Sequence, residues 1–215
     1  MITSYSHLGR PKVGLEQAAV ALRLAQELDS ARHQAEVLRA MAFLHEQHDE
    51  PKLAIDLLRE SLHWCRRWGH GPAIAKTLNL IGYYEAKRGN GSDAVELCRE
   101  AITLFAAAGD PAEADAWDSL GLACRMAGDP KTSAESYRHA IELFHRTGFH
   151  HAAGHSWVAL ADLQEEWDEP EAVLASLRSA LAVFREVAWH EAERIHRRLI
   201  RTMTSRAASA PDRAS

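Results

Sequence analysis

Histidines are the residues of this chain with the clearest capacity for chemistry. There are 13 of them, and four lie close together at His145, His150, His151 and His155. His151 and His155 are one helical turn apart, a spacing at which two imidazoles can bind the same metal ion. Histidines in polar loops between helices are, however, usually surface residues. We therefore predict no bound metal or other cofactor. A metal site at this histidine cluster is the alternative.

No pattern in the chain points to catalysis. His190-Glu191 followed by His196 departs from HExxH, because the second histidine comes two positions late and faces elsewhere on a helix. The GxSxG, P-loop and GxGxxG patterns are absent. The acidic residues fall on helix faces that solvent would cover, as in Gln164-Glu165-Glu166. We predict a protein without catalytic residues, and an enzyme built into the fold is the least favoured alternative.

Charge and cysteine content narrow the classes of partner. The net charge of −5 argues against direct nucleic-acid binding, although Arg194, Arg197, Arg198 and Arg201 form a local basic cluster. Cys65, Cys98 and Cys124 are odd in number and lack CxxC spacing, which predicts buried thiols in a reducing compartment. A transmembrane run and a signal-peptide core are both missing, so we expect a cytoplasmic protein without membrane association.

Small residues recur along the chain at a fixed period. One column is Ala42, Gly82, Gly121 and Ala161, at steps of 40, 39 and 40 residues. Two more columns keep these steps, and their members are Ala21, Ser61, Ala101, Ala140 and Ala180, and Pro11, Pro51, Gly91, Pro130 and Pro170. Small side chains allow two helices to approach closely, and proline suits the first position of a helix. The period therefore predicts repeated helical hairpins.

The hairpins can be placed along the chain from these columns. Four full hairpins are predicted over about residues 33–68, 73–107, 112–147 and 152–187. Pro11 to Leu28 is predicted to be the second helix of a half-repeat, and residues 189–203 a capping helix. Asn90 and Asp129 should cap second helices, while Gly69, Gly109 and Gly148 should end the hairpins. We assign residues 1–204 to one solenoid domain and residues 205–215 to a disordered tail.

This unit resembles the tetratricopeptide repeat (TPR). In that pattern a large apolar residue precedes a Leu-Gly pair, as in Trp117, Leu120 and Gly121. An alanine, an aromatic residue and a second alanine follow in the next helix, as in Ser133, Tyr137 and Ala140. The preceding repeat matches with Leu78, Ile81, Gly82, Ala94 and Ala101, but Cys98 replaces the aromatic residue. The column where the family often has tyrosine holds His45, Glu85, Cys124 and Gln164.

The unit is longer than the family's usual 34 residues. With motifs such as SLGLACRMAGD and RHAIELFHRTGF, it is similar to the TPR sensor arms of STAND-type ATPase transcription factors and antibiotic-regulatory proteins of actinomycetes. The resemblance implies a protein-interaction module that is the regulatory or sensory arm of a transcriptional regulator. A free-standing TPR scaffold or peptide receptor is the alternative.

The resemblance also implies the fold and a binding surface. The fold would be an all-α right-handed superhelix of antiparallel hairpins, whose first helices line a concave groove for an extended or helical peptide. The groove residues predicted from the columns are Arg39, Phe43, Lys76, Asn79, Tyr83, Lys87, Asp118, Leu122, Arg125 and Asp162. Lys76 and Lys87 at one end, and Asp162, Glu165 and Glu166 at the other, predict a ligand of opposite polarity. An ordinary solvated helix face is the alternative for these residues.

The half-repeat at the start of the chain leaves apolar residues without an obvious cover. Leu15, Ala18 and Leu22 share a stripe on the predicted helix Pro11 to Leu28. Exposed apolar patches of this kind mark interfaces. The stripe predicts that two copies pair through this face as a homodimer, most simply with two-fold symmetry, or that the chain is cut from a longer array.

Overall fold

A computed structural model describes the backbone from Pro11 to Ser209 and the side chains of residues 13–204. Within this part of the chain every regular element is an α-helix, so the predicted all-α class is confirmed. The helices are α1 (Pro11–Glu27), α2 (Ala31–Glu46), α3 (Pro51–Trp68), α4 (Gly71–Lys87), α5 (Gly91–Ala108), α6 (Glu113–Met126), α7 (Pro130–Thr147), α8 (His150–Glu166), α9 (Pro170–Val187) and α10 (Trp189–Ser209).

Successive helices pair as the repeat predicts. Hairpins 1 to 4 are α2–α3, α4–α5, α6–α7 and α8–α9, and we call the earlier member of each pair its first helix and the later its second. The observed ends lie within three residues of the predicted ones. Helix α10 continues to Ser209, so residues 205–209 of the predicted tail are helical. The rest of that tail, residues 210–215, and residues 1–10 lie outside the described part.

Turn residues stop and start the helices largely as predicted. Gly69, Gly109 and Gly148 end hairpins 1, 2 and 3 in the left-handed conformation, with φ of 72°, 61° and 79°. Asp129 caps α7, because its Oδ1 accepts from the Thr132 amide at 3.1 Å. Asn90 occupies the N-cap position of α5 as predicted, but its side chain does not cap the helix. Its Nδ2 instead donates to Glu85 Oε2 at 2.7 Å, and the N-terminus of α5 has no side-chain cap.

The column of small residues lies where the two helices of a hairpin meet. A Cβ added at Gly121 would lie 2.7 Å from the Tyr137 ring, and one added at Gly82 would lie 2.7 Å from Cys98 Sγ. Ser133 Oγ donates to the Gly121 carbonyl oxygen at 2.7 Å across the same contact. The packing register predicted from the sequence is therefore confirmed in hairpins 2 and 3.

The core runs along the inside of the array as a chain of linked clusters. One cluster joins Ala114, Phe144 and Ala153 from three consecutive helices, and another joins Tyr137, Ile141 and Leu160. Each hairpin thus packs on its sequence neighbours, as expected of a solenoid. No described helix has the length and apolar character needed to cross a membrane.

Candidate functional site

The predicted groove residues lie on the first helices, and contacts between successive first helices run along the same side. Lys87 of α4 reaches Glu46 of α2, and Arg125 of α6 reaches Glu166 of α8. Between them, Ser156 Oγ of α8 donates to Asp118 Oδ1 of α6. Helices α4 and α6 also pack on each other, so these contacts lie along one face from α2 to α8, which we call the groove.

A cavity opens in the groove between hairpins 1 and 2. It has a volume of about 330 Å³ and brings together three of the predicted residues, Arg39, Phe43 and Lys76, over an apolar floor that includes Leu58 and Tyr84. A second cavity of about 440 Å³ shares Glu36, Arg39 and Lys76 and extends toward Trp68 and His70. The cavity between α2 and α4 falls in the size range of small-ligand and peptide-anchor pockets.

Arg39 and Lys76 line both cavities, and neither has a salt bridge within the described part of the chain. The Arg39 guanidinium lies 3.7 Å from Cys65 Sγ, which is not an anionic partner. The Lys76 ammonium is exposed and faces Asp115 of α6 at longer range. Burial raises the pKa of the Asp115 carboxyl, and the charge of Lys76 partly offsets that rise. Both cations are therefore available to an anionic group of a ligand.

Asn79 and Tyr83 follow Lys76 along the groove face of α4. The Asn79 Oδ1 atom is buried and has no hydrogen-bond partner among the described residues. An unsatisfied buried acceptor is costly, and a backbone N–H of a bound peptide would satisfy it. The Tyr83 ring is half-buried and lies beneath the Lys87 ammonium, 5.6 Å from its centroid.

Ion pairs engage three of the predicted groove residues: Lys87 between hairpins 1 and 2, Arg125 between hairpins 3 and 4, and Asp162 beside α10. Lys87 Nζ lies 2.6 Å from Glu46 Oε1, and Arg125 pairs with Glu166. Asp162 pairs with Arg198 of α10, whose other nitrogen lies 2.6 Å from Glu165 Oε2. The hydrogen-bonded carboxylates raise the pKa of both Lys87 and Arg125. These three residues join neighbouring repeats and are not free ligand contacts.

The ion pairs also reduce the negative charge on which the predicted polarity of the ligand depends. Arg125 and Arg198 neutralise the acidic end formed by Asp162, Glu165 and Glu166. Sequence reasoning puts Arg198 on the solvent face of the capping helix and misses its place at the end of the groove. Among the predicted groove cations, Arg39 and Lys76 have no salt bridge within the described residues, so this end keeps its positive charge for a partner.

Asp118 and Leu122 lie at the centre of the groove, where α6 approaches α8. Burial raises the pKa of the Asp118 carboxyl to about 6. The hydrogen bond from Ser156 lowers this pKa, and the charge of Asp115 raises it. Leu122 is half-buried against the cluster that contains Ala86 and Leu120. Asp118 thus belongs to the contact between hairpins 3 and 4, and Leu122 offers a partly exposed apolar surface.

The histidine cluster is an aromatic contact. The rings of His151 and His155 are 4.7 Å apart between centroids and both pack edge-on against Phe184, while His145 and His150 form a separate pair at 5.7 Å. Burial lowers the pKa of His155, as do the nearby His151 and Arg194. The described residues contain no group of three or more histidine, cysteine or acidic side chains placed to hold a metal ion.

The cysteines are buried and unpaired, as predicted. Cys65, Cys98 and Cys124 are all free thiols in the interior. Burial raises the pKa of Cys98 to about 12, so its thiol stays protonated at neutral pH. Their role is packing.

The residues predicted for self-association do not form the exposed surface of α1. Ala18 is fully buried, and Leu15 and Leu22 are half-buried. The exposed large apolar residues on this part of the chain are Val13, Val20, Leu24 and Leu28. Ala18 is therefore unavailable to a second copy. Leu15 and Leu22 keep part of their surface exposed, and pairing through this helix stays a prediction.

The repeat is similar to a known repeat family and to solved structures. Residues 73–146 match the tetratricopeptide repeat family. No curated protein sequence matches the chain. Together with the structural likenesses that follow, the match supports a TPR protein.

Three solved structures show the same fold at low sequence identity. BtubC (BKLC) from P. vanneervenii has a TM-score of 0.71 and 14% identity, over 95% of this chain and 95% of that one. A Podosopora anserina putative kinesin light chain with nearly identical TPR-like repeats, in its Q17M form, has a TM-score of 0.69 and 14% identity, over 86% and 92%. A Rap protein complexed with competence and sporulation factor has a TM-score of 0.66 and 16% identity, over 96% of this chain and 62% of that one.

Proposed function

We propose that this chain is a protein-interaction module whose groove binds a peptide segment of a partner at the end formed by hairpins 1 and 2. The observation that carries the proposal is the cavity between α2 and α4, flanked by the unpaired cations Arg39 and Lys76. A cavity with an apolar floor and a charged rim suits one anchoring side chain beside an acidic group.

The chemistry of the groove describes the peptide. An apolar or aromatic side chain would enter beside Phe43 and Tyr84, and an Asp, a Glu or a C-terminal carboxylate would reach Arg39 or Lys76. A backbone N–H of the peptide would satisfy Asn79 Oδ1. The peptide would then pass Tyr83 toward Leu122. Between hairpins 3 and 4, where Arg125 pairs with Glu166, the groove gives no support for a basic segment of the ligand.

A random peptide library displayed on phage tests this proposal, because selection from it does not require an identified partner. Selection on the wild-type protein should enrich sequences with an apolar residue next to acidic ones. The Arg39→Glu/Lys76→Glu variant should lose that enrichment, because two attractive charges become repulsive. Tyr83→Ala should weaken binding of the selected peptides about tenfold.

A matched control is available on the outer surface. Arg99 and Lys131 lie on second helices and are exposed, so Arg99→Glu/Lys131→Glu makes the same change of charge outside the groove. We expect this variant to select the same peptides as wild type. Binding that is lost in the control and kept in the groove variant would contradict the proposal.

The biological setting we propose is the sensory or regulatory arm of a transcriptional regulator. The motifs SLGLACRMAGD and RHAIELFHRTGF support this setting, since they are similar to those in such arms. The Rap structure, complexed with competence and sporulation factor, is consistent with a regulatory ligand in this fold. An ATPase domain encoded in frame upstream of Met1 would support the proposal. Capture of partners from the native host, identified by mass spectrometry, would name the ligand.

A free-standing scaffold or peptide receptor is the second candidate. The TPR fold is equally compatible with this role. The same capture experiment separates the two candidates. A scaffold should retain two or more proteins at once, whereas a regulatory arm should retain one peptide or effector in the groove.

A further inference from the structure

Two carboxylates on the groove face of α6 have no cationic partner. Asp115 and Asp118 lie one helical turn apart, and neither forms a salt bridge within the described part of the chain. The acidic residues that α2 and α8 bring to this face are different, because each has an arginine or lysine partner; they include Glu36, Glu46, Asp162 and Glu166. The negative charge on α6 is therefore not neutralised by an ion pair.

Asp118 uses only one of its two carboxylate oxygens in the fold. Its Oδ1 accepts from Ser156 Oγ, whereas Oδ2 has no hydrogen-bond partner among the described residues. Burial raises the pKa of both Asp115 and Asp118, because water is withdrawn from two carboxylates that no cation compensates. The charge of Lys76 on α4 lowers the pKa of Asp115, but it acts from beyond salt-bridge distance. A cation supplied by a ligand would offset the cost of burying these groups.

A buried tyrosine hydroxyl faces the same part of the groove and also lacks a partner. Tyr137 of α7 is 2% exposed, and its ring packs on Gly121 of α6. Its hydroxyl makes no hydrogen bond to the described residues. Burial raises the pKa of Tyr137, and the charge of Asp118 raises it further, as does Tyr83 of α4. The hydroxyl therefore lies on the groove side of α6, where an unpartnered buried polar group is a place for a ligand atom.

Asn79 of α4 adds an acceptor to the same level of the groove. It precedes Asp118 by 39 residues, the step that also separates Gly82 from Gly121, so the two side chains take the same place on adjacent first helices. Helices α4 and α6 pack on each other, and Asn79 Oδ1 is buried without a hydrogen-bond partner. The middle of the groove thus presents oxygen atoms whose hydrogen-bond donors are not supplied by the described residues.

We propose that the middle of the groove binds a lysine or arginine side chain of the peptide, with Asp115 and Asp118 as counter-ions and the Tyr137 hydroxyl as a further acceptor. The inference rests on the proposed function, because it names a second charged residue of the same ligand. An ammonium or guanidinium group carries several N–H donors and no acceptor, which matches a set of oxygens that lack donors. Charge-assisted hydrogen bonds to carboxylates are also the stronger kind.

The packing of α4 on α6 sets the spacing between the two charged residues of the peptide. Packed helix axes lie about 8–10 Å apart, and an extended chain rises about 3.3 Å per residue. With its acidic residue at Lys76 on α4, an extended peptide would carry its basic residue about three positions away, at Asp118 on α6. Arg125 lies further along α6 and pairs with Glu166, so it does not fill this place.

Selection from the phage library tests the basic residue separately from the acidic one. Wild type should enrich lysine or arginine about three positions from the acidic residue. Selection on Asp115→Asn/Asp118→Asn should lose that enrichment and keep the apolar and acidic residues. The matched control is Asp93→Asn/Glu96→Gln, which removes two exposed carboxylates one turn apart on the second helix α5. This control should select the same peptides as wild type.

Fluorescence anisotropy with one selected peptide measures the coupling directly. The same peptide with glutamine in place of its basic residue should bind wild type about tenfold more weakly, and the two peptides should bind Asp115→Asn/Asp118→Asn equally. Tyr137→Phe should weaken the basic peptide about threefold and leave the melting temperature unchanged, because the hydroxyl makes no hydrogen bond in the fold. It is the variant to measure if the aspartate pair does not fold.

A wild-type selection that enriches no lysine or arginine would overturn the inference. So would a glutamine peptide that is weakened equally on wild type and on the aspartate variant. The proposed function survives both results if apolar and acidic residues are still enriched on wild type and lost on Arg39→Glu/Lys76→Glu. Lysine or arginine enriched without any acidic residue, and lost on the aspartate variant, would support the cation site and contradict the proposed acidic anchor.

Discussion

Gly121 stands where α6 meets the ring of Tyr137 on α7. A Cβ at this position would lie 2.7 Å from the nearest ring carbons, and the ring is itself buried, so neither side can move away easily. Gly121→Leu should therefore lower the free energy of unfolding by about 1–3 kcal/mol or more. Thermal and urea denaturation of the variant measure this loss.

Gly71 provides the control for that substitution. It lies at the start of α4, and a Cβ added there would meet nothing within 4 Å. Gly71→Ala should leave the melting temperature within a degree or two of wild type, because the change adds no contact. Equal stability of Gly121→Leu and wild type would show that the packing register is incorrect.

Asp118 gives the contact between hairpins 3 and 4 a dependence on pH. Its pKa is about 6 in the folded protein, above the usual value for an aspartate. As pH rises from 4 to 6 the unfolded chain ionises first, so wild type should lose stability relative to Asp118→Asn. The difference should reach about 1–2 kcal/mol above pH 6 and vanish near pH 4, after allowance for partial exposure.

The measurement is the difference in unfolding free energy between the two proteins at several pH values. An asparagine can still accept the hydrogen bond from Ser156, so the substitution removes the charge and keeps the contact. A difference that does not change with pH would mean that Asp118 titrates as an ordinary exposed carboxyl.

At the scale of the elements, α10 is joined to the array by an apolar side and by one arginine. Arg198 contacts Asp162 and Glu165, and its side chain is only 21% exposed. Arg197 and Glu193, a pair within α10, are 69% and 48% exposed. The first pair joins two elements, whereas the second lies in solvent and should contribute little.

A double-mutant cycle separates these contributions. Arg198→Ala with Asp162→Ala should give a coupling of about 0.5–1 kcal/mol, and Arg197→Ala with Glu193→Ala a coupling near zero. Arg198→Ala should also speed amide hydrogen exchange in α10 more than in α6. Equal couplings for the two pairs would contradict the role of Arg198 in docking the helix.

At the scale of the whole molecule, each hairpin depends on its neighbours for cover. Helix α10 covers Leu181 and Phe184 of α9 through Ile195 and Leu199. A chain that ends at Ala188 would expose this surface. It should lose several kcal/mol of unfolding free energy, since each fully buried leucine or isoleucine contributes about 1.5–3 kcal/mol. Urea denaturation measures the loss.

A chain that ends at Thr204 is the control for this truncation. It keeps Ile195 and Leu199 and removes only residues 205–215. Its stability should be close to that of the full chain. A stable, cooperative transition in the chain that ends at Ala188 would show that α10 does not act as a cap.

Periodicity in the sequence was enough to predict the hairpins, their ends and the small residues between paired helices. These features depend on spacing along one helix and on the recurrence of a column every 39 or 40 residues. The proline column has a glycine at position 91, and only the structure explains this exception. A Cβ at Gly91 would lie 2.3 Å from the Ala127 backbone nitrogen, so glycine replaces the usual proline because of a neighbouring hairpin.

Tertiary structure alone decides which residues of the groove are ion-paired. Lys87 and Glu46 are 41 residues apart, as are Arg125 and Glu166, and their pairing depends on how one hairpin is rotated on the next. The sequence predicted that Arg39, Lys76 and Lys87 face the groove, but not that only the first two are unpaired. The structure likewise decides which side of α1 stays exposed, since Ala18 is buried whereas Leu24 and Leu28 are exposed. Which side of a terminal helix is covered depends on the direction from which its neighbour packs, and helical periodicity does not encode that direction.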